Sequence, residues 1–327
     1  MKTIRKLSSL LLACFLLAAC CATAFAADAA LDTELPVRVI TLNGTTGFGM
    51  AGLIAAHEAG ETALNYSFTV DTDASNVTAA LVNGDCDIAA LPTNAASALY
   101  NKTGGKVQVL ALNTRGVLYL VTDGSVDVGS IADLAGQTVY APAQNPSFIF
   151  AALCAKNGLE LDIDTTYAQP AELNTAVAAG EVSLAVLPEP MVTVARSQNP
   201  DLKVALDLTE EWDKVFEPGS LVQGCVVVRT EFAADHPAEV AAFLKDYEAS
   251  VALLSDDTAA AAKAIEETGI FAKAAVAEKA IPNCNVFFVT GEEMQTELSA
   301  FLEIMFEQAP QSIGGAVPAD DFYCVLK

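Results

Sequence analysis

Gly84 and Gly180 stand 96 positions apart, and the residues around one repeat those around the other. The stretch AALVNGDCDIAALPTN, Ala79 to Asn94, is answered by AVAAGEVSLAVLPEP, Ala176 to Pro190, with Asp85 matching Glu181, Ala89 matching Ala185 and Leu91-Pro92 matching Leu187-Pro188. Each copy reads as one unit: an Ala-rich helix, a glycine suited to the left-handed position past its end, a short apolar strand, and a proline closing the strand at its carboxyl edge. Two such units predict two similar α/β lobes. In open α/β sheets ligands bind beyond the carboxyl ends of the strands, which makes Pro92-Thr93-Asn94 and Pro188-Glu189-Pro190 candidate walls of one cleft.

The remaining strands and helices alternate in the same way. Strands are expected at Val37–Leu42, Tyr66–Val70, Cys86–Leu91, Val107–Leu112, Val117–Thr122 and Thr138–Tyr140, as is a parallel-sheet arrangement. Helices are expected at about Phe48–Ala59, up to Asn83 from a Ser75 or Asn76 cap, at Asn94–Lys102, and from Pro146-Ser147 to Asn157-Gly158. After the apolar run Val222–Val228 the pattern turns helical and shows no second strand–helix alternation. The chain therefore returns to cover the first lobe. This predicts a first lobe from residues 36–116 and 222–327, a second from 117–221, and a hinge at Asn113, Thr114, Arg115, Gln223 and Gly224.

Residues 1–20 carry Lys2, Arg5 and Lys6 before an apolar core from Leu10 to Ala19, the layout of a secretory signal, with 21–35 as a linker. Leu17-Ala18-Ala19-Cys20 fits a lipoprotein box and is favoured over the Ala24-Phe25-Ala26 cleavage site because it abuts the apolar core. The expected product is exported and anchored at Cys20 outside the cytoplasmic membrane; a secreted or periplasmic soluble form is the alternative. Removing residues 1–20 takes three of 17 basic residues and none of the 41 acids, so the formal charge becomes 14 minus 41, or −27. So acidic a surface repels phosphate backbones and argues against nucleic-acid binding.

Cys86, Cys154, Cys225, Cys284 and Cys324 are widely spaced and read as small buried hydrophobes, although export permits a disulfide. With His57 and His236 as its only histidines, the chain offers no metal-ligand pattern and no nucleophile–base pair. No cofactor, no metal and no catalytic residue is expected.

Four segments carry a resemblance to a known family: GDCDIAALPTNAASALYNKTGG (Gly84–Gly105), LAGQTVYAPAQNPSFIF (Leu134–Phe150), AQPAELNTAVAAGEVSLAVLPEP (Ala168–Pro190) and PQSIGGAVPADDFY (Pro310–Tyr323). Their order and spacing resemble the solute-binding proteins of ABC importers, in the branch associated with nitrate, sulfonates, taurine and thiamine-pyrimidine precursors. The resemblance implies the type II periplasmic-binding-protein-like fold, two α/β lobes joined by two crossings, and a monomer that captures a small polar molecule or anion and delivers it to a membrane permease. It also implicates four loops: Gly44, Thr45 and Thr46; Pro92, Thr93 and Asn94; Asn145 and Ser147; and Glu189.

Glu189 can serve a cationic ligand or compensate a helix dipole. Arg115 can meet a ligand acid or one of the chain's own carboxylates, while Tyr119 and Phe148 can stack on a flat ligand or fill the core. Two other classes stay open: a cleft enzyme of the same fold, of the menaquinone or pyrimidine-biosynthesis type, and a receptor without a transporter.

Overall fold

Two sheets organise the computed structural model, which describes residues 31–325. The expected signal segment 1–20, Cys20, the Ala24–Ala26 site and all but the end of the 21–35 linker lie outside the described residues. Thr33–Lys327 forms one compact unit. Along it, the first sheet receives β1 (Pro36–Leu42), β2 (Asn65–Asp71), β3 (Ile88–Pro92) and β4 (Val107–Arg115). The second receives β5 (Leu118–Thr122), β6 (Thr138–Tyr140), β7 (Asp162–Asp164), β8 (Leu184–Pro188) and β9 (Lys203–Asp207). β10 (Val222–Arg229) and β11 (Val286–Val289) then rejoin the first.

The orders β11-β4-β10-β3-β1-β2 and β7-β6-β8-β5-β9 share one plan once β1, β2, β3 and β4 are laid over β6, β7, β8 and β9. In each sheet one strand runs antiparallel between the third and fourth members, and it comes from across the crossing: β5 follows β4, and β10 follows β9.

The 96-residue echo is the centre of this plan. Both glycines adopt left-handed backbone, Gly84 at φ 77° and Gly180 at φ 75°, where glycine alone carries no Cβ penalty. Both helices close identically, with Asp85 N donating to Ala80 O and Glu181 N to Ala176 O, each at 2.9 Å. β3 and β8 then bury four successive residues and end on a half-buried proline.

Several expectations need correction. The sheets are mixed rather than parallel, because each accepts a strand arriving from the other side. The expected helix from Phe48 to Ala59 is two, α1 (Thr45–Phe48) and α2 (Ala51–Glu58), so Thr45 and Thr46 sit in a helical turn. The break at Gly49 lies under Tyr247, whose hydroxyl would stand 2.8 Å from an added Cβ.

The next helices are α3 (Ala74–Asn83), α4 (Thr93–Thr103), α5 (Asn145–Lys156), α6 (Pro170–Ala178), α7 (Met191–Gln198) and α8 (Leu208–Asp213). The cap of α3 is Asp73, whose carboxylate accepts from Ser75 N, rather than Ser75 or Asn76. In the last third, β11 was not expected: its four residues are too few to set a period, and the strand pairs with β4 at the sheet edge. Gln223 and Gly224 lie within β10, so the backbone itself crosses at Gly116-Val117 and returns between Asp213 and Val222.

Asp87, 2% exposed, ties three strands of the first sheet. Arg38 Nη2 and Nε donate to it at 2.6 and 2.8 Å, Arg38 N at 3.0 Å and Arg229 Nη2 at 3.0 Å. Burial pushes its carboxyl up, but the bonds from Arg38 and Arg229 outweigh this and hold it below the usual range. Asp87→Asn should therefore cost about 2–3 kcal/mol in urea unfolding at neutral pH, less than the ~3–5 of a sealed pair because Arg38 is 40% exposed. Because the folded value is depressed, the stabilisation is present above the unfolded value near ~3.9 and is lost as pH falls through the folded one, so the gap between wild type and variant should narrow in acid.

Candidate functional site

The four expected loops come together in two pairs, Thr45 with Glu189 and Asn94 with Ser147. Thr45 Oγ1, in the first turn after β1, donates to the Glu189 carbonyl oxygen at 2.7 Å, so the loops of opposite lobes touch. Beside them Tyr119 Oη donates to Asn283 O at 2.9 Å, a second bond between the lobes. The cleft is shut along this side.

On the other side it opens into a cavity of about 810 Å³. The first lobe contributes Ser75 and Thr78 of α3 and Asn94, Ala98, Leu99 and Lys102 of α4. The second contributes Gln144, Ser147 and Phe148 at the start of α5, with Thr165. A third wall comes from the tail segment Ala309–Ser312, held against α4 by Ser97 Oγ and Asn101 Nδ2 donating to Ile313 O at 3.1 and 2.8 Å. A separate cavity of about 500 Å³ beside Cys154 and Leu159–Ile163 belongs to the second lobe alone.

The expected site residues divide by what their side chains do. Asn94 and Ser147 line the shared cavity from opposite lobes. Asn94 is 5% exposed and its Oδ1 has no partner, as is true of Oδ1 of Asn145, which is 8% exposed at the start of α5. Ser147 Oγ donates to Gln144 O at 3.0 Å.

The other residues hold the framework. Thr93 Oγ1 donates to Val222 O at 2.8 Å, Pro92 pairs with Gly224 across the β3–β10 ladder, and Thr46 O accepts from Asn113 Nδ2 at 3.1 Å. Gly44 takes φ 75°, and its N–H donates to Ile270 O at 3.1 Å. Thr114 Oγ1 bonds Asn113 Oδ1 at 3.0 Å, and Gln223 Oε1 accepts from Val117 N at 2.8 Å, which clasps the two crossings together. Arg115 lies over the Phe287 ring at 4.3 Å and donates to Glu297 and Gly219 O, so it meets one of the chain's own carboxylates.

Helix starts differ in their capping, and uncapped ones occur outside the cleft as well, at Ala51, Thr230, Pro237, Ala274 and Gly291. The starts of α3, α6 and α8 are closed by Asp73, the Gln169/Glu172 box and Asp207. Those of α4 and α5, where Asn94 and Ser147 stand, carry no side-chain cap, which leaves backbone N–H donors for an acceptor or an oxyanion. Gln144, just before α5, holds φ 69° and ψ −129°, a region in which a side chain is strained and which clusters at functional sites.

Sequence reasoning missed Gln144, Lys102, Ser75, Thr78, Thr165 and Ser312. Ser75, Thr78 and Lys102 carry the pattern of a solvated helix face, and Gln144, Thr165 and Ser312 that of ordinary turn residues, so only the fold reveals that they face one cavity. Among the described residues no three or more His, Cys, Asp or Glu side chains gather as a metal site would need, and no helix is long and apolar enough to cross a membrane. The five described cysteines are free, four of them buried.

Glu189 is 4% exposed, and its carboxylate turns onto α7, accepting from Thr193 N at 3.1 Å and Thr193 Oγ1 at 3.0 Å. Burial pushes its carboxyl pKa up, against the lowering effect of the Thr193 bonds and Arg196. A carboxyl raised on folding penalises its own ionised form, so that penalty is present at neutral pH and disappears as pH falls through the folded value. Glu189→Gln should therefore melt at or above wild type at pH 7, with the difference closing in acid, as scanning calorimetry across pH would record.

The comparisons with known proteins agree with this geometry. Residues 55–281 match the profile of OpuAC, described as the substrate-binding domain of ABC-type glycine betaine transport systems. A comparison with curated protein sequences returns no match. Among solved structures, an ABC transporter protein from Parabacteroides distasonis is similar at 23% identity and TM-score 0.77, covering 90% of this chain and 100% of its own. The periplasmic aliphatic sulphonate-binding protein SsuA from Escherichia coli is similar at 15% identity and TM-score 0.69, covering 88% of this chain and 95% of its own. The alkanesulfonate-binding protein SsuA from Xanthomonas axonopodis pv. citri, bound to MOPS, is similar at 14% and 0.64, with 89% and 96% covered. These structures share the periplasmic-binding-protein fold, and the profile match over more than two thirds of its length makes the chain a member of the OpuAC family, a substrate-binding protein of ABC transport systems.

Proposed function

We propose that the protein captures a small polar organic solute or anion between its lobes and passes it to a membrane permease, without chemical turnover. The observation that carries this reading is the cavity of about 810 Å³ at the strand tips of both sheets, entered by two helix starts that no side chain caps. In the same reading the chain is exported, anchored through Cys20 and monomeric. It divides into lobes 36–116 with 222–327 and 117–221, which hinge where the backbone crosses at Gly116-Val117 and returns between Asp213 and Val222.

Capture works by biasing closure. A solute drives the lobes together only through contacts it makes better in the closed form than in the open one. The Thr45–Glu189 bond, worth about 1 kcal/mol, leaves a modest further bias for the solute to supply. The sulfonate and betaine specificities of the relatives both involve compact charged groups. Here the described cavity lining holds one charged residue, Lys102, and one aromatic, Phe148, which favours a solute held mainly through acceptors at the helix starts.

A thermal-shift screen of amino acids, sulfonates, organic acids and pyrimidines should yield a solute that stabilises the protein by RT ln(1 + [L]/Kd) and so raises the melting temperature with its concentration. Its binding should quench or shift the emission of Trp212, the sole tryptophan, which packs from the second lobe against Phe301, ring centroids 6.0 Å apart. Asn94→Ala removes no internal hydrogen bond, so it should leave the unliganded melting temperature in place while weakening binding about fivefold, the equivalent of about 1 kcal/mol. Unchanged affinity in both Asn94→Ala and Ser147→Ala would remove the cleft as the binding site, and conversion of the solute to a new compound would overturn the non-enzymatic reading.

A further inference from the structure

Resting on the cleft reading above, we propose that the solute is an elongated organic acid whose carboxylate or equivalent anion lies at Lys102, with a head at the starts of α4 and α5 that offers acceptors to the helix N–H groups and a donor to Asn94 Oδ1. The cavity follows one face of α4: Asn94, Ala98 and Lys102 succeed one another at four-residue steps. At 1.5 Å per residue, the eight residues from Asn94 to Lys102 span about 12 Å. The volume lies towards the upper end of the ~300–1,000 Å³ typical of small-molecule sites, well beyond the needs of a simple inorganic anion.

The chemistry changes along that axis. At the head stand Asn94, with its buried unpartnered Oδ1, and Gln144, with its strained backbone, beside two uncapped helix starts. The middle is apolar, formed by Ala98, Leu99 and Phe148. At the far end Lys102 is exposed, and no carboxylate among the described residues lies within ion-pair distance of it, in a chain carrying a formal charge of −24. A lysine in the last turn of a helix also complements the helix dipole, a role worth a few tenths of a kcal/mol in stability that discriminates between no solutes. The two roles separate by experiment.

Calorimetric titration of the full protein with monomethyl suberate and monomethyl sebacate, each against its own dimethyl ester, tests the tail. The two share an ester end, match closely in length and differ by one charge. Wild type should prefer the monoester by about two- to fivefold at low salt, the range expected of an exposed ion pair. That preference should fall towards unity in Lys102→Gln, and in wild type at about 1 M salt, where the Debye length is about 3 Å.

An undiminished preference in Lys102→Gln would overturn the proposal. So would failure of every monoester and diester to bind while another solute is held in an Asn94-dependent manner, which would leave the cleft reading intact. Monoester binding that is equal in wild type, Lys102→Gln and Asn94→Ala would place the site elsewhere and overturn both.

Discussion

At Gly116 the chain leaves one sheet for the other through a gap that admits no side chain. A Cβ there would stand 2.2 Å from Thr209 Oγ1 and 2.7 Å from Leu221 Cδ2, and one at Gly224 would stand 2.4 Å from Asn113 Oδ1. The two crossings are thereby pressed side by side, with Val117 N paired to Gln223, while Asn285, just ahead of β11, holds the first crossing through Nδ2 to Gly116 O at 2.6 Å and through its own O to Arg115 N at 3.0 Å. Everything that makes a cleft depends on this junction. It directs β5 into the second sheet and β10 into the first, so that the carboxyl ends of β3 and β8 are turned towards each other.

The exchange of strands also explains how far the fold could be foreseen. β3 and β8 were legible because helix, left-handed glycine, apolar run and proline occur in fixed order, each with its own local cause. The antiparallel insertion of β10 was not, since Val222–Val228 carries only the continuous apolar signature of any strand buried on both faces. Nor was the division of the first helix at Gly49, which reflects Tyr247 arriving from about 200 positions further along the chain. Local chemistry fixes local geometry, whereas the pairing partner of a featureless strand is set by packing that no short window contains.

The same division runs through the site. Asn94 and Ser147 could be singled out because each lies in the first turn of a helix beyond a strand end, a position with known backbone consequences. Thr45 could be named but not its partner, a carbonyl oxygen at Glu189 from the opposite lobe. Glu189 itself resolves into a carboxylate occupied by Thr193 and a backbone oxygen that meets Thr45, two roles that residue type alone does not separate. Lys102 and Gln144 were hidden for opposite reasons: the first looks like any solvated helix residue, and the second owes its place to a backbone angle that glycine would ordinarily supply.

In the proposed capture, the lobes pivot on the Gly116 junction and change their separation when a solute is taken up. Spin labels at Val82→Cys on α3 and Val204→Cys on β9, both exposed and one in each sheet system, report that separation by pulsed dipolar spectroscopy. Saturation with a binding solute should collapse a broad distance distribution onto a narrow one that matches the closed arrangement described here. An identical distribution with and without the bound solute would contradict the account.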